Sequence, residues 1–251
     1  MTGRTVETSP QTYARIGGLL YLIIIAVGLF GEVFVRNRLI VSGDPTATAE
    51  KIRSSELLWR GSIAAELFIL LTCAVALALT FYLLLRPVSR ELALLAVFFN
   101  LVSIALEAAN KLHLLAALFP LGDAEYLSAF EPEQLYALAT FSVRSHGYGF
   151  AVSLIFFGWE CLILGYLIFR SGYLPRALGV LMQIAGLCYL TNSLALIVSP
   201  SLAGRLFPAI LIPVFIGEAS LCLWLLVKGV NVPKWEERAR EGGRFAAGLP
   251  C

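Results

Sequence analysis

Six long apolar stretches, five of them with a glutamate inside, constrain this chain more than any other feature. Crossing the hydrocarbon core as a helix takes about 20 consecutive apolar residues, at about 1.5 Å of rise each. Six segments qualify: Tyr13–Val35, Gly61–Leu85, Leu92–Phe119, Gly147–Phe169, Ala177–Val198 and Phe207–Val227. Glu32, Glu66, Glu107, Glu160 and Glu218 each fall in a different one. A charged side chain at the bilayer centre costs roughly 2.5–3.5 kcal/mol, so such residues face a bundle interior or a wet cavity. The prediction is an all-α fold, a polytopic transmembrane bundle of six spans with a polar interior.

Composition excludes the ordinary soluble class. The chain is 59% hydrophobic and 14% charged, against about 45–50% and about 25% in an average soluble domain. Its net charge of +2, with bases scattered through short loops, supplies no nucleic-acid stripe. The expected organisation is a cytoplasmic segment over 1–12, one transmembrane domain over 13–230 and a cytoplasmic tail over 231–251. The polar start runs into apolar sequence without an A-x-A-like site, as an uncleaved first span does. Cys73, Cys161, Cys188 and Cys222 sit singly in separate apolar runs and Cys251 ends the chain, a pattern of small packing residues rather than a redox pair.

An even number of spans puts both termini on one side. The segments there hold eleven Lys/Arg, from Arg4 and Arg15 through Arg86, Arg90, Arg170 and Arg176 to the tail, against seven opposite. That bias puts both termini in the cytoplasm, although Arg36, Arg38, Lys51, Arg53 and Arg60 crowd the first outer loop. In that loop Asp44-Pro45 reads as a cap and first helical residue. Ala49, Ile52 and Leu57 then form an apolar edge, with Trp59 and Arg60 at headgroup level; a solvated loop with one helical turn is the alternative. A helical extension from Pro132 into the fourth span is compatible with the sequence.

The polar residues inside the spans carry the functional expectation. Asn100, Ser103, Glu107 and Asn110 or Lys111 share one face of the third span, with Glu107 and Lys111 spaced for an ion pair. His146, Ser153 and Glu160 share a face of the fourth; Glu218 follows Pro213, which predicts a kink just outside it. Span five offers Gln183, Asn192 and Ser193. By depth, Glu32, Glu66, Asn110, His113, His146 and Asn192 are expected in the outer part, Glu107 and Glu218 near the middle and Glu160 deeper, as a funnel open to the outside. Polar residues also simply glue membrane helices together, at about 0.6 kcal/mol per bond. Five carboxylates with one internal lysine, however, cannot all be neutralised by pairing: protons or a cation must balance the rest.

No cofactor is expected. His113, His146 and Glu107 are weak candidates for zinc without a compact ligand motif, and the two histidines are weaker still as haem ligands. Ser153 and His146, roughly 10 Å apart along the axis, cannot pair as nucleophile and base on that helix.

Gly165-Tyr166-Leu167-Ile168, Ser171-Gly172-Tyr173-Leu174-Pro175-Arg176 and Leu178-Gly179 resemble a bacterial membrane family catalogued as domain of unknown function 4386. His146-Gly147-Tyr148-Gly149, Phe156-Phe157-Gly158 and the opening Gly18-Leu19-Leu20-Tyr21-Leu22 through Gly31-Glu32 strengthen the likeness, which covers roughly residues 10–230. It implies a multi-pass protein of a bacterial inner membrane and carries no activity or catalytic residues. The functional expectation is binding or passage of a small cationic or polar solute, protons included. Glu32, Glu66, Glu107 and Glu218 supply charge; His113, His146 and Asn110 orient the ligand or relay protons; Glu160 and Asn192 line the same cavity. A metal-dependent intramembrane hydrolase acting on lipid and a non-catalytic scaffold subunit are the alternatives. The expected partners are the lipid bilayer and the small solute.

Overall fold

The structure is a computed structural model describing residues 9–247, with side chains to 241; Arg4, Cys251 and the side chain of Arg244 lie outside the described residues. Besides short 3-10 turns at Phe119–Leu121 and Glu125–Ala129, the described residues form nine helices: α1 Pro10–Leu39, α2 Pro45–Ser54, α3 Glu56–Leu85, α4 Arg90–Ala116, α5 Pro132–Ser171, α6 Arg176–Val198, α7 Pro200–Leu206, α8 Leu211–Val227 and α9 Val232–Ala247. Five are long and apolar enough to cross a membrane; α7 and α8 pass the same test only as a bent pair, a broken span or a re-entrant loop.

Short connections make consecutive spans antiparallel neighbours. They pack in the order α1, α3, α4, α5, α6, α8, and α8 returns to α1, closing a ring. Inside it, Tyr21, Phe81, Ala96, Cys161, Leu164, Met182 and Leu221 form one apolar core from all six helices. Outside it, Phe68, Leu79, Phe98, Leu187 and Leu223 are exposed, a surface suited to acyl chains rather than water. Glycine sets the closest contact. A Cβ on Gly165 or Gly179 falls 2.6 Å from the other's carbonyl oxygen, and Gly158 and Gly186 repeat the pairing two turns on. Close approach through small residues is how membrane helices gain van der Waals contact without a hydrophobic drive. These four glycines therefore work within one chain, between α5 and α6.

Local signals set the helix ends. Asp44 accepts from the Ala47 N–H and Pro45 opens α2; Glu131 and Gln134 form a capping box at the start of α5. Gly172 closes α5 at φ 76°, a left-handed turn that a Cβ disfavours. At the terminal side, the Tyr173 hydroxyl and the Trp235 indole N–H both donate to the Leu84 carbonyl, at 2.7 and 2.9 Å.

Two expectations change. α2 packs on the outer extension of α5, burying Ala49 and Ile52 while Leu57 points out. Trp59 faces into the protein rather than outward: it is 1% exposed and donates to the Leu114 carbonyl at 2.9 Å, because a buried indole N–H requires an acceptor. The sixth span is not one rod over Phe207–Val227. Its straight helix is Leu211–Val227, set at 57° to α7. Pro213 lies in the first turn of α8, where its missing N–H breaks nothing, so the bend precedes it.

Candidate functional site

The intramembrane glutamates gather in two groups at different depths. Near the ends of α1, α3 and α4 remote from the chain termini, charges of alternating sign form a chain, the outer group in the sense of lying furthest from the termini. Arg36 Nε lies 2.7 Å from Glu32 Oε2, and Arg36 Nη2 2.7 Å from Glu66 Oε1. Lys111 Nζ lies 2.6 Å from both Glu66 Oε2 and Glu107 Oε1. Asn110 extends the chain, donating through Nδ2 to Glu107 at 3.4 Å and to the His146 carbonyl at 3.0 Å. Glu66, Lys111, Arg36 and Glu107 are buried, while Glu32 stays open at 55% side-chain exposure.

The backbone is shaped around this chain. α1 widens into π-type turns over Phe30–Arg36 and α3 does so over Glu66–Leu70. Such turns are rare and concentrate at functional sites. The two wide stretches meet, because a Cβ on Gly31 would collide with the Glu66 carboxylate. A Cβ on Gly149 would likewise strike Asn110 Oδ1, so glycine there lets Asn110 reach α5. Arg36 Nη1, Asn110 Oδ1 and His146 Nε2 are buried without hydrogen-bond partners among the described residues.

The second group lies deeper. Asn100 Nδ2 donates to Glu160 Oε2 at 2.6 Å between α4 and α5, and the Tyr189 hydroxyl donates to Glu218 Oε1 at 2.6 Å between α6 and α8. Tyr189 also stands edge-on to Phe157, one turn before Glu160 on α5, with ring centroids 5.3 Å apart, so the two pairs are neighbours across the α5–α6 contact. Counting about 1.5 Å per residue from the helix ends beside the termini puts Asn100, Glu160 and Glu218 about 14–17 Å deep, the middle of a bilayer about 30 Å thick. On that scale Glu66 and Lys111 lie about 29–32 Å along, at the boundary remote from the termini. No lysine, arginine or histidine among the described residues forms an ion pair with Glu160 or Glu218.

The structure therefore brings Glu32, Glu66, Glu107, Asn110 and the His146 backbone together, and Glu160 with Glu218. Glu107, expected near the middle, belongs to the outer group through Lys111; Glu160, expected deeper, shares Glu218's depth. His113 is exposed and outside both groups, and Asn192 is half-buried beside Ser193, whose buried hydroxyl lacks a partner. Among the described residues no three His, Cys, Asp or Glu stand close enough to hold one metal ion.

Two participants escaped the sequence reading. Arg36 counted there as an outer-loop base, yet its spacing of four from Glu32 was the available signal. Tyr189 blends into an apolar helix, and nothing in the sequence marks it.

Residues 16–229 match the family described as "Domain of unknown function (DUF4386)". An uncharacterized protein of Archaeoglobus fulgidus is 29% identical over 163 residues, covering 65% of this chain and 81% of that protein. No solved structure matches the chain.

Proposed function

The chain belongs to the family catalogued as domain of unknown function 4386, and from that premise we propose that it binds a small cation, the proton included, at its mid-depth carboxyl groups and passes it across the membrane. One observation carries this reading: the charges do not balance. Five carboxylates, Glu32, Glu66, Glu107, Glu160 and Glu218, meet two cations, Arg36 and Lys111, and both cations are held by the outer three. Among the described residues Glu160 and Glu218 have only neutral donors. A carboxylate in hydrocarbon without a counter-charge is costly, so a mobile positive charge completes the pair.

The outer chain then works as the entry side, with Glu32 open and Glu66 and Glu107 behind it. Arg36 does not give up its proton, so any proton path runs past it, through Glu107 or water, rather than along the whole chain. The membrane is the cytoplasmic one, with both termini inside. Burial of Arg36 removes one base from the seven counted outside and sharpens the bias that supports this orientation.

The test is cation uptake into proteoliposomes, followed with pH-, Na⁺- and K⁺-sensitive dyes. Flux above that of protein-free liposomes, falling at least about tenfold in Glu160→Gln and Glu218→Gln, is expected. Equal flux in the wild type and both variants refutes passage. A scaffold is the second reading, favoured by the fact that each of the five carboxylates has a polar or charged partner. It requires no flux at all, with both Gln variants folding normally.

A further inference from the structure

At the terminal side of the bundle, α9 crosses the ends of α1 and α3 and leaves a hollow of about 490 Å³. We infer that this hollow seats the phosphate headgroup of an anionic phospholipid. Its wall carries Arg86 and Arg240 with one acid, Glu236, and the aromatic side chains of Tyr13 and Trp235.

Charge comes first. Arg86 directly follows the last residue of α3, where helix end and lipid headgroups meet. It is exposed and has no carboxylate within ion-pair distance among the described residues. Arg240 holds Glu236 at 3.3 Å, but with side chains 75% and 49% exposed. An exposed pair of that kind contributes little, so Arg240 can turn to a better anion. Two guanidinium groups against one carboxylate leave the hollow one positive charge in excess, matched to the single negative charge of a phosphodiester. The guanidinium fork engages phosphate oxygens two at a time.

Position and shape favour a lipid over free phosphate. Tyr13 and Trp235 are the residue types that settle at the membrane–water boundary, and the indole N–H bond to Leu84 holds α9 in place as a roof. Beneath the hollow, Ile16 and Leu19 continue along α1, and Leu79 and Val75 along α3, all exposed. Gly17 lets the two helices touch at Thr80, so these side chains flank one seam that descends into the membrane. Headgroup seat and acyl track are continuous. Basic pockets at helix ends on the cytoplasmic side are where anionic headgroups bind.

The experiment uses the full chain in detergent, with native mass spectrometry to count bound lipid during titration with dioleoylphosphatidylglycerol, dioleoylphosphatidylcholine or inorganic phosphate. The phosphatidylglycerol is expected to bind at least about tenfold more tightly than the phosphatidylcholine. Arg86→Gln should raise its Kd about tenfold or more, with Arg86→Lys intermediate and Arg240→Gln weaker in effect. Both arginines are exposed, so these variants leave the apolar core intact. Equal affinity for the two lipids, an unchanged Kd in Arg86→Gln, or inorganic phosphate binding as tightly as the lipid would each overturn the assignment.

Discussion

Replacing Lys111 by methionine removes the one ammonium group that holds two buried carboxylates. Its Nζ stands 2.6 Å from Glu66 and 2.6 Å from Glu107, with side-chain exposures of 5%, 2% and 11% for the three groups. At an effective dielectric constant of about 20, a pair at that distance gains about 6 kcal/mol. Two pairs give about 13 kcal/mol, from which desolvation of three ions takes several kcal/mol each. Methionine keeps the length and the packing, so the loss isolates the charge. Its formal effect is to move the outer group from three carboxylates and two cations to three and one. The expected cost of Lys111→Met is about 3–5 kcal/mol, the range for a buried pair left with one partner. Adding Glu107→Gln restores the excess of one negative charge and should recover about 1–3 kcal/mol. Reversible unfolding by SDS in mixed micelles reads both quantities. A loss below about 1 kcal/mol, the level of an exposed pair, or no recovery in the double variant, would mean that the outer group is solvated rather than buried.

Two other substitutions, with Gly147→Ala as a control, probe the frame. Gly179→Ala drives a Cβ into the Gly165 carbonyl across α5 and α6, where neither backbone can yield cheaply; a loss of about 1–3 kcal/mol is expected in the same unfolding assay, whereas Gly147→Ala, with open space around it, should be near neutral. In the turn between α5 and α6, burial pushes the Tyr173 phenol well above its ordinary value of 10.0. A folded-state value raised above the unfolded one gives stability that is full below pH about 10 and lost as pH rises further. Tyr173→Phe should cost about 1 kcal/mol at neutral pH, through the lost bond to Leu84, and flatten the alkaline part of a stability–pH curve. An alkaline slope identical to the wild type's would show that Tyr173 is not the titrating group.

What was legible in advance depended on how local the cause was. The spans stand out because a membrane demands unbroken apolar runs, and the Asp44-Pro45 and Pro132 helix starts follow from caps only a few residues long. The Glu107–Lys111 pair was readable for the same reason, being four apart on one helix. The partnership of Glu66 with Arg36 and Lys111 was not: it joins three helices and depends on the widened turns at Phe30–Arg36 and Glu66–Leu70. A single funnel of acids was the natural expectation from depth alone. Depth, however, says nothing about helix rotation, and rotation is what turns Arg36 and Lys111 to Glu66 and Glu160 to Asn100.

By itself, the sequence determined that this chain is a bundle of membrane-length helices with acids inside, because transfer of apolar and charged groups between water and lipid is decided residue by residue. Only the tertiary structure decided which acids have a cation and which have only a neutral donor. Pairing is a property of facing helices, and a shift of about one residue in rotation, about 100°, is enough to exchange one partner for another.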